Sequence, residues 1–259
     1  MNYYFLAPSL PPLELGHIPD ITSEELFARL AVNLTKEDME KAKVLRRFVD
    51  INNIRALTLE EHIDARGNLN EKELDEALLT HNIFPLYVFD FLDKYETPSQ
   101  RLKYFPELLS RFFVEETETN EGFLKRYLTF EREWRLVMLA LRAKQTGKDV
   151  IKELQFEDLK DPIVAQILAQ KDEKNYEPPL EYIDLKQVYL SCGQDPWQQY
   201  KAVQTWRFNK IDELVEHPSF SIDWVLAYIA KLMIVEQWNE LDEEKGLMIL
   251  DTIKASEKL

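Results

Sequence analysis

Residues 48–57, Phe-Val-Asp-Ile-Asn-Asn-Ile-Arg-Ala-Leu, place polar groups where a plain amphipathic helix would place apolar ones. On a helix, Asp50, Asn53, Ile54 and Leu57 stack at i, i+3, i+4 and i+7 on one face. The opposite face carries Val44, Phe48 and Ile51, with Asn52 and Arg55 set among them. A helix that is apolar on both sides is packed on both sides, so these polar groups are expected in helix–helix seams. Buried there, each must find a hydrogen-bond partner or cost roughly 1–3 kcal/mol. The pattern therefore requires a layered helical fold and reads as a device for docking helices, not as a reaction centre.

The rest of the chain supports an all-α, multi-helix single domain. Only 6 glycines occur in 259 residues, too few for the turns of an all-β fold or for a phosphate-binding loop. Hydrophobic content of 45% supports a sizeable core. Helix starts are plentiful. Thr22-x-x-Glu25 and Asn70-x-x-Glu73 are capping-box patterns, and Thr35 can cap a long helix from residue 36 to about 62. Thr97-Pro98, Asp161-Pro162 and Asp195-Pro196 each place a capping side chain before proline at the first helical position. Pro106 is expected to break or kink its helix. Asn120 can cap a helix ending near Gly147, Ser221 one from residue 222 to about 239, and Gly246 falls early in a last helical segment. No run shows period-two alternation of β-branched and aromatic residues. Approximate helical units are 22–119, 120–176 and 182–259, with the charged stretch 171–179 as the clearest loop.

The net charge is −15, so most of the surface would repel a phosphate backbone or an anionic lipid face. No nucleic-acid partner is expected. The single cysteine, Cys192, cannot form an internal disulfide and suits a reducing compartment. Pro8, Pro11 and Pro12 interrupt the first apolar run, and no basic segment precedes it, so no cleaved signal is expected. The longest greasy stretch, 224–235, contains Lys231 and falls short of the ~20 residues that span a bilayer. A cytoplasmic chain without direct membrane insertion is the expectation.

Catalytic patterns are missing. His17, His62, His81 and His217 lie far apart in sequence, without metal-ligand spacing, and read as surface or helix-end residues. Gly147-Lys148 lacks both the upstream glycine and the hydroxyl of a phosphate loop and reads as a helix stop. Asp90 and Asp93 could present two carboxylates to Mg²⁺, as in all-helical prenyl-transferring enzymes, but no second acidic motif faces them. They read as a solvated face, and Glu115-Glu116 and Asp242-Glu243-Glu244 as ordinary exposed helix ends. Cys192 reads as a structural thiol. Trp134, Trp197, Trp206, Trp224 and Trp238 read mainly as core, with some available to a partner surface. No catalytic residue, cofactor or metal is therefore expected.

Asp50-x-x-Asn53-Ile54-Arg55 followed by Gly67-x-Leu69 resembles the first repeat of the C/d-type central-stalk family of the V-type and A-type ATPases (ATP synthases), the socket that joins rotor axle to membrane ring. The opening Tyr3-Tyr4-Phe5-Leu6-Ala7 and Leu10-Pro11-Pro12-Leu13 also resemble a shorter bacterial family of unknown function that tends to be encoded beside V-type ATPase subunits. Residues 47–57 can be laid on 129–139 or 140; with Asp50 set opposite Glu133, Asn53 and Ile54 face Leu136 and Val137. The second repeat thus lacks the asparagine, and the region 223–237 is the best candidate for a third. The chain is also shorter than a typical socket of the C/d type. The resemblance implies a non-catalytic part, peripheral to a membrane complex, whose partners are the central axle subunits and the membrane proteolipid ring. Asp50, Asn53, Arg55 and Gly67 would be its helix-docking motif. The alternatives are a cytoplasmic helical adaptor or assembly factor for that complex, and an all-helical enzyme.

Overall fold

The computed structural model describes residues 3–216 and 220–240. His217, Gly246 and the run Asp242-Glu243-Glu244 lie outside them. Every regular element among the described residues is helical, so the fold class is all-α. The α-helices are α1 Ser23–Asn33, α2 Lys36–Thr58, α3 Glu71–Thr80, α4 Leu86–Lys94, α5 Pro98–Thr119, α6 Gly122–Thr146, α7 Val150–Glu153, α8 Pro162–Ala169, α9 Ile183–Ser191, α10 Pro196–Glu213 and α11 Ile222–Glu240. They gather into two compact units, Leu34–Lys186 and a second formed by Met1–Asn33 with Gln187–Leu259.

Local side-chain chemistry starts most of these helices. Thr22 and Glu25 exchange bonds at 3.0 and 3.2 Å. Asn70 and Glu73 form a full capping box at the start of α3, and Thr97 and Gln100 do the same at α5. Thr35, Asp161, Asp195 and Ser221 each accept from a backbone N–H in the first turn that follows. Gly147, at φ 68°, ends α6 with its N–H on the Ala143 carbonyl.

Three expectations need correction. The helix begun by Thr35 stops at Thr58, earlier than residue 62. Glu60 turns left-handed at φ 57°, while Glu61 N–H bonds back to Ala56 O and Glu60 N–H to Leu57 O. This closure satisfies the last carbonyls and usually employs glycine at the left-handed position. Asn120 does not cap α6. Its amide donates at 2.8 Å to the Glu116 carbonyl, closing the end of α5, and the N-cap of α6 is Glu121. Of the break or kink expected at Pro106, the break does not occur: α5 runs from Pro98 to Thr119 with the proline inside it. The ring lies on the exposed side, while Phe105, Leu108 and Phe112 are buried.

In the first unit, α5 packs on α2, α4 and α6, and α6 also carries α7 and α8. Phe48 of α2 meets Phe112 and Phe113 of α5 at ring separations of 5.5 and 5.6 Å. The Arg135 guanidinium lies 4.6 Å from the Phe48 centroid and 5.3 Å from that of Phe113, a cation over aromatic faces. In the second unit, α11 packs on α10 and α1. Ser23 donates to the Glu236 carboxylate through both its N–H and its hydroxyl, and Tyr228 OH donates to Pro11 O at 2.8 Å.

Candidate functional site: a polar clasp on helix α2

Asp50 and Asn53 are each only 2% exposed, yet both face a loop and not another helix. Both ends of the Asn53 amide grip one residue. Its Nδ2 donates to Asp64 O at 2.9 Å, and its Oδ1 accepts from Asp64 N at 2.8 Å. The Asp64 carboxylate accepts in turn from Arg66, through the backbone N–H at 2.9 Å and the guanidinium at 2.8 Å. One turn earlier on the helix, Asp50 Oδ2 accepts from Asn68 Nδ2 at 2.7 Å and Oδ1 from Leu69 N at 3.1 Å. Arg46, one turn before Asp50, donates to the carbonyls of Arg66, at 2.8 Å, and Gly67. Residues 64–69 are thereby tied to α2 along two turns.

Gly67 sits where the loop runs closest to the helix. A Cβ there would overlap Asp50 Oδ1 and lie 3.0 Å from Asn53 Nδ2. Glycine is thus required by close approach, without a left-handed backbone. Arg55, the fourth residue of the expected motif, is exposed and takes no part. The face of α2 opposite Asp50 is covered at Val44 and Ile51, and that cover ends before Arg55.

Burial pushes the Asp50 carboxyl above its ordinary range, against the Asn68 and Leu69 hydrogen bonds and the charge of Arg46. Burial lowers Arg46 in turn. Both Asp50 oxygens are engaged from within the fold, so the clasp ties the loop backbone to the helix. Sequence reasoning missed Arg46, Asp64 and Asn68. Arg46 was within reach as the i−4 neighbour of Asp50. The loop partners become visible only once the chain has folded back.

Glu133, set opposite Asp50 by the internal alignment, is half-buried and accepts from Tyr182 OH at 2.7 Å. Burial raises its carboxyl as well. The more deeply buried acid of α6 is Glu131, which pairs with Arg135. Glu116, expected to be exposed, is instead buried and accepts from Arg47 at 2.6 Å and from Tyr87 OH at 3.0 Å.

A groove of about 540 Å³ in the second unit is lined by Leu10 to Leu13, by Asp212, and by Trp224, Tyr228 and Lys231 of α11. Lys231 is held by Asp212 at 2.7 Å and lies 4.1 Å from the Phe208 ring centroid. Three histidines fall within the described residues, His17, His62 and His81, and all are exposed. Asp90 and Asp93 are also exposed, and Cys192 is half-buried, its thiol on Val188 O at 3.4 Å. Trp134 and Trp206 are buried, while Trp197, Trp224 and Trp238 are half-buried. Among the described residues no group of three or more His, Cys, Asp or Glu side chains could hold a metal, and no helix is long and apolar enough to cross a membrane.

The fold and the clasp together define an all-helical protein in which buried polar side chains of α2 hold a loop. The chain belongs to the family described as protein of unknown function (DUF2764), whose profile matches residues 1–257. It is similar to uncharacterized proteins from three Chlamydia species. Identity to the one from Chlamydia trachomatis serovar D is 29% over 256 residues, covering 95% of this chain and 96% of the relative. The Chlamydia muridarum protein is 27% identical over 259 residues, covering 98% and 97% of the two chains. The Chlamydia pneumoniae protein is 28% identical over 263 residues and covers 99% of each. No solved structure matches the chain.

Proposed function

We propose that this chain is a non-catalytic component of a V-type ATPase or ATP synthase, resembling the socket that couples the central axle to the membrane ring. The observation that carries the reading is the convergence of Asp50, Asn53 and Gly67 on one loop. These are three of the four residues of the helix-docking motif that the resemblance to the C/d-type socket implies. Their chemistry is that of a brace, which suits a part that transmits torque and performs no reaction. Stiffness is what such a part needs, because a compliant socket would absorb rotation in place of passing it on.

A second reading is a helical adaptor or assembly factor of the same complex. It is favoured by the division of the chain into two compact units, where a socket of the C/d type would have three similar ones. Affinity capture of a tagged copy from its native cell, after gentle detergent extraction, separates the two. The socket reading expects axle and ring subunits of the mature, rotating complex to be retained. Retention of assembly intermediates alone would favour the adaptor, and absence of every V-type component would defeat both.

A further inference from the structure

The junction of α3 and α4 exposes three large apolar side chains in close succession: Leu79 at 84%, Ile83 at 65% and Leu86 at 80%. Single exposed leucines are ordinary, whereas a cluster of three marks a surface with a use. The backbone between them is held in unusual conformations. His81 has φ 50° and Ile83 φ 71°. Phe84 N–H bonds back to Asn82 O at 2.8 Å, closing a three-residue turn centred on Ile83. Positive φ is least tolerated by β-branched residues, and a tight turn of this hand is strained. Ring contacts flank the turn on both sides. The His81 ring stacks on Phe89 at 4.8 Å, and Phe84 is buried with its ring 6.4 Å from Phe89. Ile83 is exposed, four residues after Leu79 and three before Leu86.

Acidic side chains border the patch on both helices. Leu79 lies one turn from exposed Asp75 and Glu76 on α3. On α4, Leu86, Asp90 and Asp93 fall at i, i+4 and i+7 on one exposed stripe. The cations nearby are Lys72, Arg111, 3.6 Å from Asp90, and Lys94, which is held by Glu107 at 2.8 Å. His81 stands 4.0 Å from Asp93. Acid predominates over base around the apolar centre.

We propose that this junction is a docking surface for a basic amphipathic helix of a partner protein. Leu79, Ile83 and Leu86 would receive the apolar anchors of that helix. Its Lys or Arg side chains, one and two turns further along, would meet Asp90 and Asp93. A second copy of this chain is a poor occupant, since a two-fold contact would set the same acids against one another. Anionic lipid is repelled for the same reason. The proposal goes beyond the rotor reading and stands whichever complex the chain serves.

The test uses the full chain and a fluorescein-labelled 20-residue model helix with a leucine stripe flanked by lysines. A matched peptide with glutamate for every lysine is the control. The basic peptide should bind saturably, move the amide resonances of residues 79–93, and bind at least tenfold tighter than the acidic one. Leu79→Ser with Leu86→Ser should weaken it tenfold or more at an unchanged melting temperature, both side chains being exposed. Asp90→Asn with Asp93→Asn should weaken it and flatten its salt dependence. Equal binding of the two peptides, resonance changes confined to other residues, or no saturable binding would overturn the proposal. So would self-association of the chain, detected by sedimentation and abolished in the serine variant, which would assign the face to a second copy. If capture finds no V-type component while the peptide binds as described, the socket and adaptor readings both fail and the docking surface stands.

Discussion

Asp50 and Asn53 differ from ordinary buried polar residues in what they hold, because each fixes backbone of a loop that has no regular structure of its own. Asn53→Ala removes both bonds to Asp64 and leaves its half-buried N–H and carbonyl without them. Asp50→Ala takes the acceptor from the half-buried Leu69 N–H and leaves the Asn68 amide only the Lys43 carbonyl. Each should cost about 1–3 kcal/mol in urea denaturation, while Arg55→Ala, at an exposed position, should change stability by less than about 0.5 kcal/mol. Gly67→Ala should be as harmful as either clasp variant, since its Cβ would displace Asp50. Melts of the Asp50 and Asn53 variants that match wild type would show that the clasp does not brace the fold. Titration offers an independent check. Burial raises the Asp50 carboxyl above the ~3.9 of an unfolded aspartate, so the native state binds this proton more tightly than the unfolded chain. The stability it contributes is full below the unfolded value and is lost as pH rises through the folded one. The carboxyl carbon resonance of Asp50 should accordingly titrate with a midpoint above the ordinary aspartate value. A midpoint below it would show that Arg46 and the hydrogen bonds outweigh burial.

Among the elements, α5 carries an internal proline without ending. Pro106 cannot donate to the carbonyl of Leu102, one turn back, and its exposed position leaves that end of the bond to water. Pro106→Ala should therefore stabilise the protein by about 2 kcal/mol, the restored bond being partly offset by a more flexible unfolded chain. An unchanged or lowered denaturation midpoint would mean that the ring itself packs usefully. The elements also show what a sequence can disclose. Caps at Thr22, Thr35, Asn70, Thr97 and Asp161 were legible because the donor and acceptor lie within four residues of one another. Asn120 misled because an asparagine amide can close the helix before it as readily as cap the one after. Arg55 misled because periodicity gives the direction of a side chain but not how far along the helix its neighbours extend. Two of the clasp residues were legible from the polar break in an apolar stripe. Their partners Asp64 and Asn68 were not, since nothing local announces that the loop returns to α2.

For the molecule as a whole, the net charge of −15 favours partners that present basic surfaces, with salt weakening their attraction. Under the rotor reading proposed above, ATP chemistry belongs to other subunits. The task proposed for this chain is mechanical, and a mechanical part is judged by coupling. ATP hydrolysis and ion pumping should therefore be measured side by side in membranes from a strain lacking the gene. Hydrolysis by the catalytic head is expected to persist while pumping collapses, with coupling restored by the wild-type gene. Pumping that stays coupled to hydrolysis in the deletion strain would contradict the rotor-socket role.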